Sequence, residues 1–320
     1  MRRSFYALCA TFLLFSVPNL NAQTSQTKAE KKALQHSHID GNKIAFFSHE
    51  DWEKCGQVAH TDYLRQQDPN YNHKFQISEQ MIQDWIAANP DAGEMRGNIY
   101  TIPVVVHVVY QNASQNVSNA QINTMLNRLN ADFRKTNSDA SNVPAPWQGI
   151  AADMEIEFCL AQRDETGGAS TGITRRQTST GSFGTNDAVK FSNSGGTDAW
   201  DVTRFFNMWI APLQGGLLGY AEFPSPGLSN TYGVVVETCT VTGACPPFNL
   251  GRTMTHEVGH ALGLFHTWGD DGGSCNGSDQ VADTPNQGDA TNGCPGYPAT
   301  DNCATSSPGY MFMNLSLIHI

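Results

Sequence analysis

HEVGHALGLFH, residues 256–266, places three histidines, one glutamate and two glycines in eleven positions of a chain in which only 15% of residues are charged. On an α-helix, residues four apart share a face, so His256 and His260 direct both imidazoles at one point. Two neutral ring nitrogens so placed are the first two ligands of a zinc ion. Glu257 lies beside them, able to reach a water in an open coordination position without ligating the metal. Gly263 comes three residues after His260, where a residue lacking Cβ turns the chain at positive φ without penalty. His266 can then return as the third ligand. Three imidazoles leave a fourth position open, whereas closed structural zinc sites usually add thiolates. A buried helix face that merely carries imidazoles is the competing reading. A bare HExxH leaves it open, but chance placement of the longer pattern is on the order of one in tens of thousands.

Working outward, IYTIPVVVHVVY (99–110) is a run of β-branched and aromatic residues that predicts a buried strand, with His107 as a satisfied core histidine. SNAQINTMLNRLNADFRKT (118–136) spaces Ile122, Met125, Leu126, Leu129 and Phe133 for an amphipathic helix behind a Ser118 cap. MEIEFCLA (154–161) alternates as a strand. RFFNMWIA and LLGYAEFP, around 204–224, predict a strand and a second extended segment separated by the turn PLQGG, and YGVVVE (232–237) is a further strand. The helix carrying the histidines starts near Asn249 or Leu250. Residues 23–96 are polar and weakly periodic, with one helix at SEQMIQDWIAA (78–88). Beyond Trp268 the chain is rich in Gly, Asp, Asn, Ser, Pro and Cys, and such a segment needs crosslinks or bound ions for order. There is no internal repeat, and the fold class is mixed α+β.

The net charge is -11 and no Lys/Arg stripe is present, which excludes a phosphate-backbone partner and hence nucleic acid. Residues 1–22 have a basic start at Arg2 and Arg3, an apolar run from Phe5 to Val17 and small Ala22. The run is too short to span a bilayer comfortably and sits where a secretory signal belongs; an uncleaved anchor is the alternative. The protein is therefore expected to be secreted, without stable membrane insertion after signal cleavage. Of its eight cysteines, Cys9 leaves with the signal and seven remain, an odd number in an exported chain that is expected to pair them. Cys239 and Cys245 bracket a small loop; Cys275, Cys294 and Cys303 staple the irregular part. Cys55, in EKCGQ, lies alone between the signal and the strand-rich region. A thiolate there is able to fill the open zinc position, and a disulfide to Cys159 is the alternative.

HEVGHALGLFH resembles the metzincin metallopeptidase signature. The flanking pieces IPVVVHVVY, IEFCLAQRD with TGITR, LLGYAEFP, NLGRTMTHEVGHALGLFHTWGD and VADTPNQ resemble the pappalysin-type branch, over roughly residues 96–314. The resemblance implies a zinc endopeptidase with an upper subdomain of twisted mixed sheet and helices, the zinc helix as floor, and an irregular lower subdomain. It implies His256, His260 and His266 as zinc ligands, Glu257 as general base and acid, and a protein or peptide substrate. Cys55 resembles the Cys-Gly pattern of prosegments in that branch and is assigned as a latency switch. The expected division is signal 1–22, prosegment 23–96 removed near Arg96 and Gly97, and catalytic domain 97–320. LLGYAEFP is expected to pair with substrate as an added antiparallel strand through Leu218, Gly219, Tyr220 and Ala221. Asp270, Asp271, Asp279 and Asp283 supply hard oxygen ligands suited to calcium, and the resemblance supports calcium near Asp283 and Thr284.

The end of the chain departs from that pattern. Metzincins carry a methionine in a tight turn beneath the zinc. Here YMFMNLSLIHI (310–320) aligns with the start of that turn at Asn314 and does not continue it. Residues 315–320 are read as non-native, Met311 and Met313 as the apolar segment before the turn, and the catalytic domain as incomplete at its C-terminal side. A secreted zinc- and calcium-binding module without catalysis is the alternative function.

Overall fold

Both faces of IYTIPVVVHVVY are covered, which is why its apolar residues run on without alternation. It forms β1 (Tyr100–Tyr110), fully buried from Val104 to Val109. The computed structural model describes residues 54–89, 97–143, 145, 148, 151–270, 275–281, 287, 288, 290 and 303. The signal, Arg96, Asp271, Asp283, Thr284, Cys294 and residues 304–320, including Met311, Met313 and Asn314, lie outside them. β2 (Ile156–Leu160) and β3 (Ile173–Gln177) pair in parallel with the two halves of β1, and β4 (Phe206–Ala211) pairs in parallel with its middle. β5 (Gly219–Ala221) is antiparallel to β6 (Gly233–Glu237), which is parallel to β4. The order β2-β1-β4-β6-β5 leaves β5 at the edge. Of LLGYAEFP, only the middle three residues join the sheet.

The polar stretch before β1 holds two helices where the sequence pointed to one: α1 (Gln57–Gln67) and α2 (Tyr71–Ala88). Hydrophobic periodicity misses α1 because the residues it buries are Gln57, His60 and Thr61. α3 (Asn119–Phe133) buries the five apolar residues predicted for it, and Ser118 with Gln121 closes a capping box at its start. α4 (Thr238–Thr242) is one short turn after β6. α5 (Arg252–Ala261) carries the histidines; it begins later than Asn249 or Leu250, after Gly251. Met254, Val258 and Ala261 of α5 share one core with β1, β4, β6 and α3. Arg252 Nη2 lies 2.5 Å from Asp139 and 3.3 Å from Asp132, and Thr255 donates to Asp132, so α5 is tied to α3 at its first turn. Disulfides join Cys239 to Cys245 and Cys275 to Cys303. Cys159 is exposed and, like Cys55, is outside any disulfide among the described residues.

His107 bears out its reading as a core histidine. Its ring nitrogens meet Thr174 Oγ1 at 2.8 Å and Asn207 Oδ1 at 2.9 Å. Burial pulls its pKa down to about 4, against a smaller opposing effect of the Asn207 hydrogen bond. The unfolded chain takes up this proton below about pH 6.5 and the folded chain does not, so stability falls as pH drops from about 6.5 to about 4 and this contribution is flat below that. The loss from His107 is on the order of 3 kcal/mol. Urea midpoints measured across that range are expected to fall more steeply for the parent than for His107→Gln; equal slopes would show that His107 charges freely in the fold.

Candidate active site

The local sequence of α5 dictates where its imidazoles go. Four residues separate His256 from His260, and the helix brings their Nε2 atoms to 3.0 Å from each other. After Ala261 the chain must reverse within a few residues to bring His266 back. Gly263 does this at φ 96°, a conformation that penalises any side chain by roughly 1–2 kcal/mol. His266 Nε2 then lies 3.1 Å from His260 Nε2, and all three histidines are buried. Cys55 completes the group: its Sγ is 3.6 Å from His260 Nε2, and the four ligand atoms lie within 4.8 Å of one another. Among the described residues this is the one cluster able to hold a metal ion.

The donor set fits zinc. Nitrogens about 2.0–2.1 Å from a tetrahedral ion stand about 3.3 Å apart, and a thiolate at about 2.3 Å stands about 3.6 Å from each nitrogen. The imidazoles are prepared for it electronically as well. Burial holds the His260 pKa well below its ordinary value, and His266 adds to this, so the ring is neutral. His260 Nδ1 lies 2.7 Å from the Leu264 carbonyl, which can only accept, so the proton sits there and the Nε2 lone pair faces the centre. His266 Nδ1 is fixed in the same way by Asp270, at 2.8 and 3.0 Å from the two oxygens. Asp270, one of the acids expected to offer oxygen to calcium, has its carboxylate turned to the His266 ring. The rule that metal-bound histidines give their second nitrogen to a carboxylate or carbonyl was the available signal for it. Trp268 stacks on His266 at 4.1 Å between ring centroids, and Phe223 meets His260 edge-on at 5.7 Å.

Glu257 is fully buried beside this group. Burial pushes its pKa well above the usual carboxylate range, with the Cys55 thiol opposing. Its side chain runs against β5: a Cβ on Gly219 would stand 2.7 Å from Glu257 Oε1 and 2.9 Å from the Val235 carbonyl. The edge strand and the carboxylate therefore approach each other only because position 219 has no side chain. Gly219→Ala is expected to lower kcat/KM by tenfold or more, about 1.4 kcal/mol, with zinc content unchanged. Steady-state kinetics beside metal analysis checks this, and full activity would mean that Glu257 yields without cost.

Of the substrate-binding residues predicted, Gly219 and Ala221 turn their carbonyls to the outer edge of β5, whereas the Tyr220 side chain turns into the core with Trp209 and Val235. Residues 54–56 occupy that edge. The Gly56 N–H donates to the Gly219 carbonyl and the Leu218 N–H donates to the Lys54 carbonyl, each at 2.8 Å, with Cys55 in parallel register against Gly219. A Cβ on Gly56 would stand 2.7 Å from both Leu217 and Thr185, so the residue after Cys55 must be small. Sequence reasoning met Gly56 only as part of the Cys-Gly pattern and missed His60, Asp187 and Lys190, which share this region without any spacing that links them. Asp283 and Thr284 lie outside the described residues.

The profile of the pregnancy-associated plasma protein-A peptidase family, M43, matches residues 191–310. An extracellular metalloprotease of Pyricularia oryzae is 32% identical over 232 residues, 69% of each chain. Mature mirolysin of Tannerella forsythia in complex with a cleaved peptide is 50% identical, covers 69% of this chain and 83% of its own, and superposes with a TM-score of 0.64. A promirolysin mutant of the same organism is 44% identical over 82% of this chain and 85% of its own, with a TM-score of 0.68. Among the described residues no helix is long and apolar enough to cross a membrane. With half of the residues in the stretch matched to mirolysin identical, and a relative 32% identical over 69% of each chain, the chain belongs to the pappalysin-type metzincin family and is a zinc metalloendopeptidase.

Proposed function

We infer that this chain is the secreted zymogen of a zinc endopeptidase, with His256, His260 and His266 as zinc ligands, Glu257 as general base and acid, and Cys55 as the latency switch. The observation that carries this reading is the thiol of Cys55 at 3.6 Å from His260 Nε2, in the fourth position of a three-imidazole centre. Zinc, when bound, lowers the pKa of a coordinated water and polarises the scissile carbonyl. Glu257, its proton affinity raised by burial, takes the water proton and passes it to the leaving amine. The substrate lies antiparallel along β5, bonded to the outward backbone groups of Gly219 and Ala221.

Residues 54–56 take that edge in the opposite, parallel direction, which presents their peptide bonds to Glu257 with reversed polarity and protects them from cleavage. α2 seals the cleft further: Phe75 meets Phe223 and Phe265 edge-on at 5.6 and 5.8 Å. The pro form of mirolysin matches 82% of this chain and the mature form 69%, which supports a removable segment. Export is supported by the names of the relatives, extracellular metalloproteases, and by the apolar run at Phe5–Val17. Calcium at Asp283 and Thr284 remains part of this proposal; thermal melts with added calcium are expected to shift upward and to stop shifting in Asp283→Asn.

The whole reading is tested on the zinc-loaded full chain before and after limited proteolysis near Arg96. Casein hydrolysis should appear on cleavage, vanish with a chelator and return with zinc. Hydrolysis indifferent to the chelator overturns it.

A further inference from the structure

α1 carries a second plug besides Cys55. His60 is fully buried, with Nδ1 2.8 Å from the outward carbonyl of Ala221 on β5 and Nε2 3.0 Å from Asp187 Oδ2. Its ring lies 4.7 Å from that of Tyr220, whose buried hydroxyl makes no conventional hydrogen bond and stands near the Asp187 carboxylate. Asp187 is in turn 2.8 Å from Lys190 Nζ, which also donates to the Thr231 carbonyl at 2.7 Å. Burial alone would raise the Asp187 pKa, but Lys190 and His60 outweigh it and hold the carboxyl at about 2. His60 therefore fills a cavity walled by two acceptors, the Ala221 carbonyl and the Asp187 carboxylate, and floored by an aromatic ring.

In the proposed zymogen, on which this inference rests, that cavity gains a further use. When the segment ending near Arg96 leaves, the Ala221 carbonyl and Asp187 Oδ2 both lose the His60 ring, and an occupant that displaces water from them without donating leaves buried acceptors unmatched at about 1–3 kcal/mol each. A substrate restores the first through its backbone. The second needs a side chain. Gly219 marks the position of Glu257, and Ala221 lies two residues further along β5. An antiparallel substrate runs the other way, so the residue facing Ala221 precedes the scissile bond. The geometry points to the cavity of His60 as a substrate subsite on the amino side of that bond, taking a compact side chain that donates N–H: histidine, asparagine or glutamine. Lysine and arginine fit it poorly, because their long chains exceed the span of a ring held 2.8 Å from one wall and 3.0 Å from the other. Leucine and alanine leave Asp187 Oδ2 unmatched.

The test uses binding, so that it stands apart from turnover. The full chain carrying Glu257→Gln is loaded with zinc, trimmed by limited proteolysis near Arg96, and titrated with fluorescent peptides scanned position by position with His, Asn, Gln, Ala, Leu and Arg. One position on the amino side should favour His, Asn or Gln over Ala and Leu by about tenfold, and over Arg by at least as much. Asp187→Asn removes the acceptor but leaves Lys190 alone in the interior, so the pair Asp187→Asn with Lys190→Met is measured beside it, with thermal melts to show that it folds. In that pair the preference should flatten to within about twofold. A parent indifferent at every position, or a preference that survives in the double variant, overturns the subsite. Absence of casein hydrolysis by the trimmed parent would instead count against the peptidase reading, and the binding profile would still decide the subsite.

Discussion

Glu257→Gln, in the chain trimmed near Arg96, is expected to bind one zinc ion per molecule and to hydrolyse casein about 10²–10⁴-fold more slowly than the parent. The amide keeps the volume and occupies the same buried place against Gly219, so the fold and the three imidazoles are undisturbed. What disappears is the group that accepts a proton from water and returns it to the departing amine. A ligand would behave otherwise, since removing it would lower metal content. Metal analysis beside kinetics separates the two roles. Zinc lost together with activity would make Glu257 part of the coordination shell, and activity within about tenfold of the parent would remove it from the chemistry altogether.

Cys55→Ala is expected to give an unprocessed chain that hydrolyses casein about a hundredfold faster than the unprocessed parent, the ratio set by roughly 3 kcal/mol lost from the closed state. Full activity is not expected, because the Gly56 and Lys54 backbone bonds to β5 and the His60 contacts still hold α1 in the cleft. Chelator-sensitive casein hydrolysis on uncleaved protein, with gel electrophoresis to show that it is uncleaved, makes the measurement. An unprocessed Cys55→Ala chain as silent as the parent would assign latency to the strand pairing and the aromatic cover of Phe75, Phe223 and Phe265 alone.

The sequence determined the elements whose cause is local. Four-residue spacing on a helix is enough to converge His256 and His260, whatever surrounds them, and Gly263 is needed wherever a chain must reverse at positive φ. The strand β1 and the helix α3 were legible because burial imposes a period or a continuous apolar run, and Ser118 announced the helix start by its side chain. The boundaries of α5 and the extra helix α1 were not, since polar residues can be buried when a partner elsewhere satisfies them, and that partner leaves no mark on the local pattern.

What only the tertiary structure decided is which distant groups meet. Cys55 reaches His260 across 205 positions, His60 reaches Asp187 across 127, and Gly219 lies against Glu257 because the sheet order puts β5 at the edge beside α5. Asp270 changes from one acid among several in a polar loop to the group that orients His266. Such pairings depend on sheet order and helix docking, which are set by the summed burial of the core rather than by any neighbouring residue, so spacing supplied the metal centre and packing supplied the cleft around it.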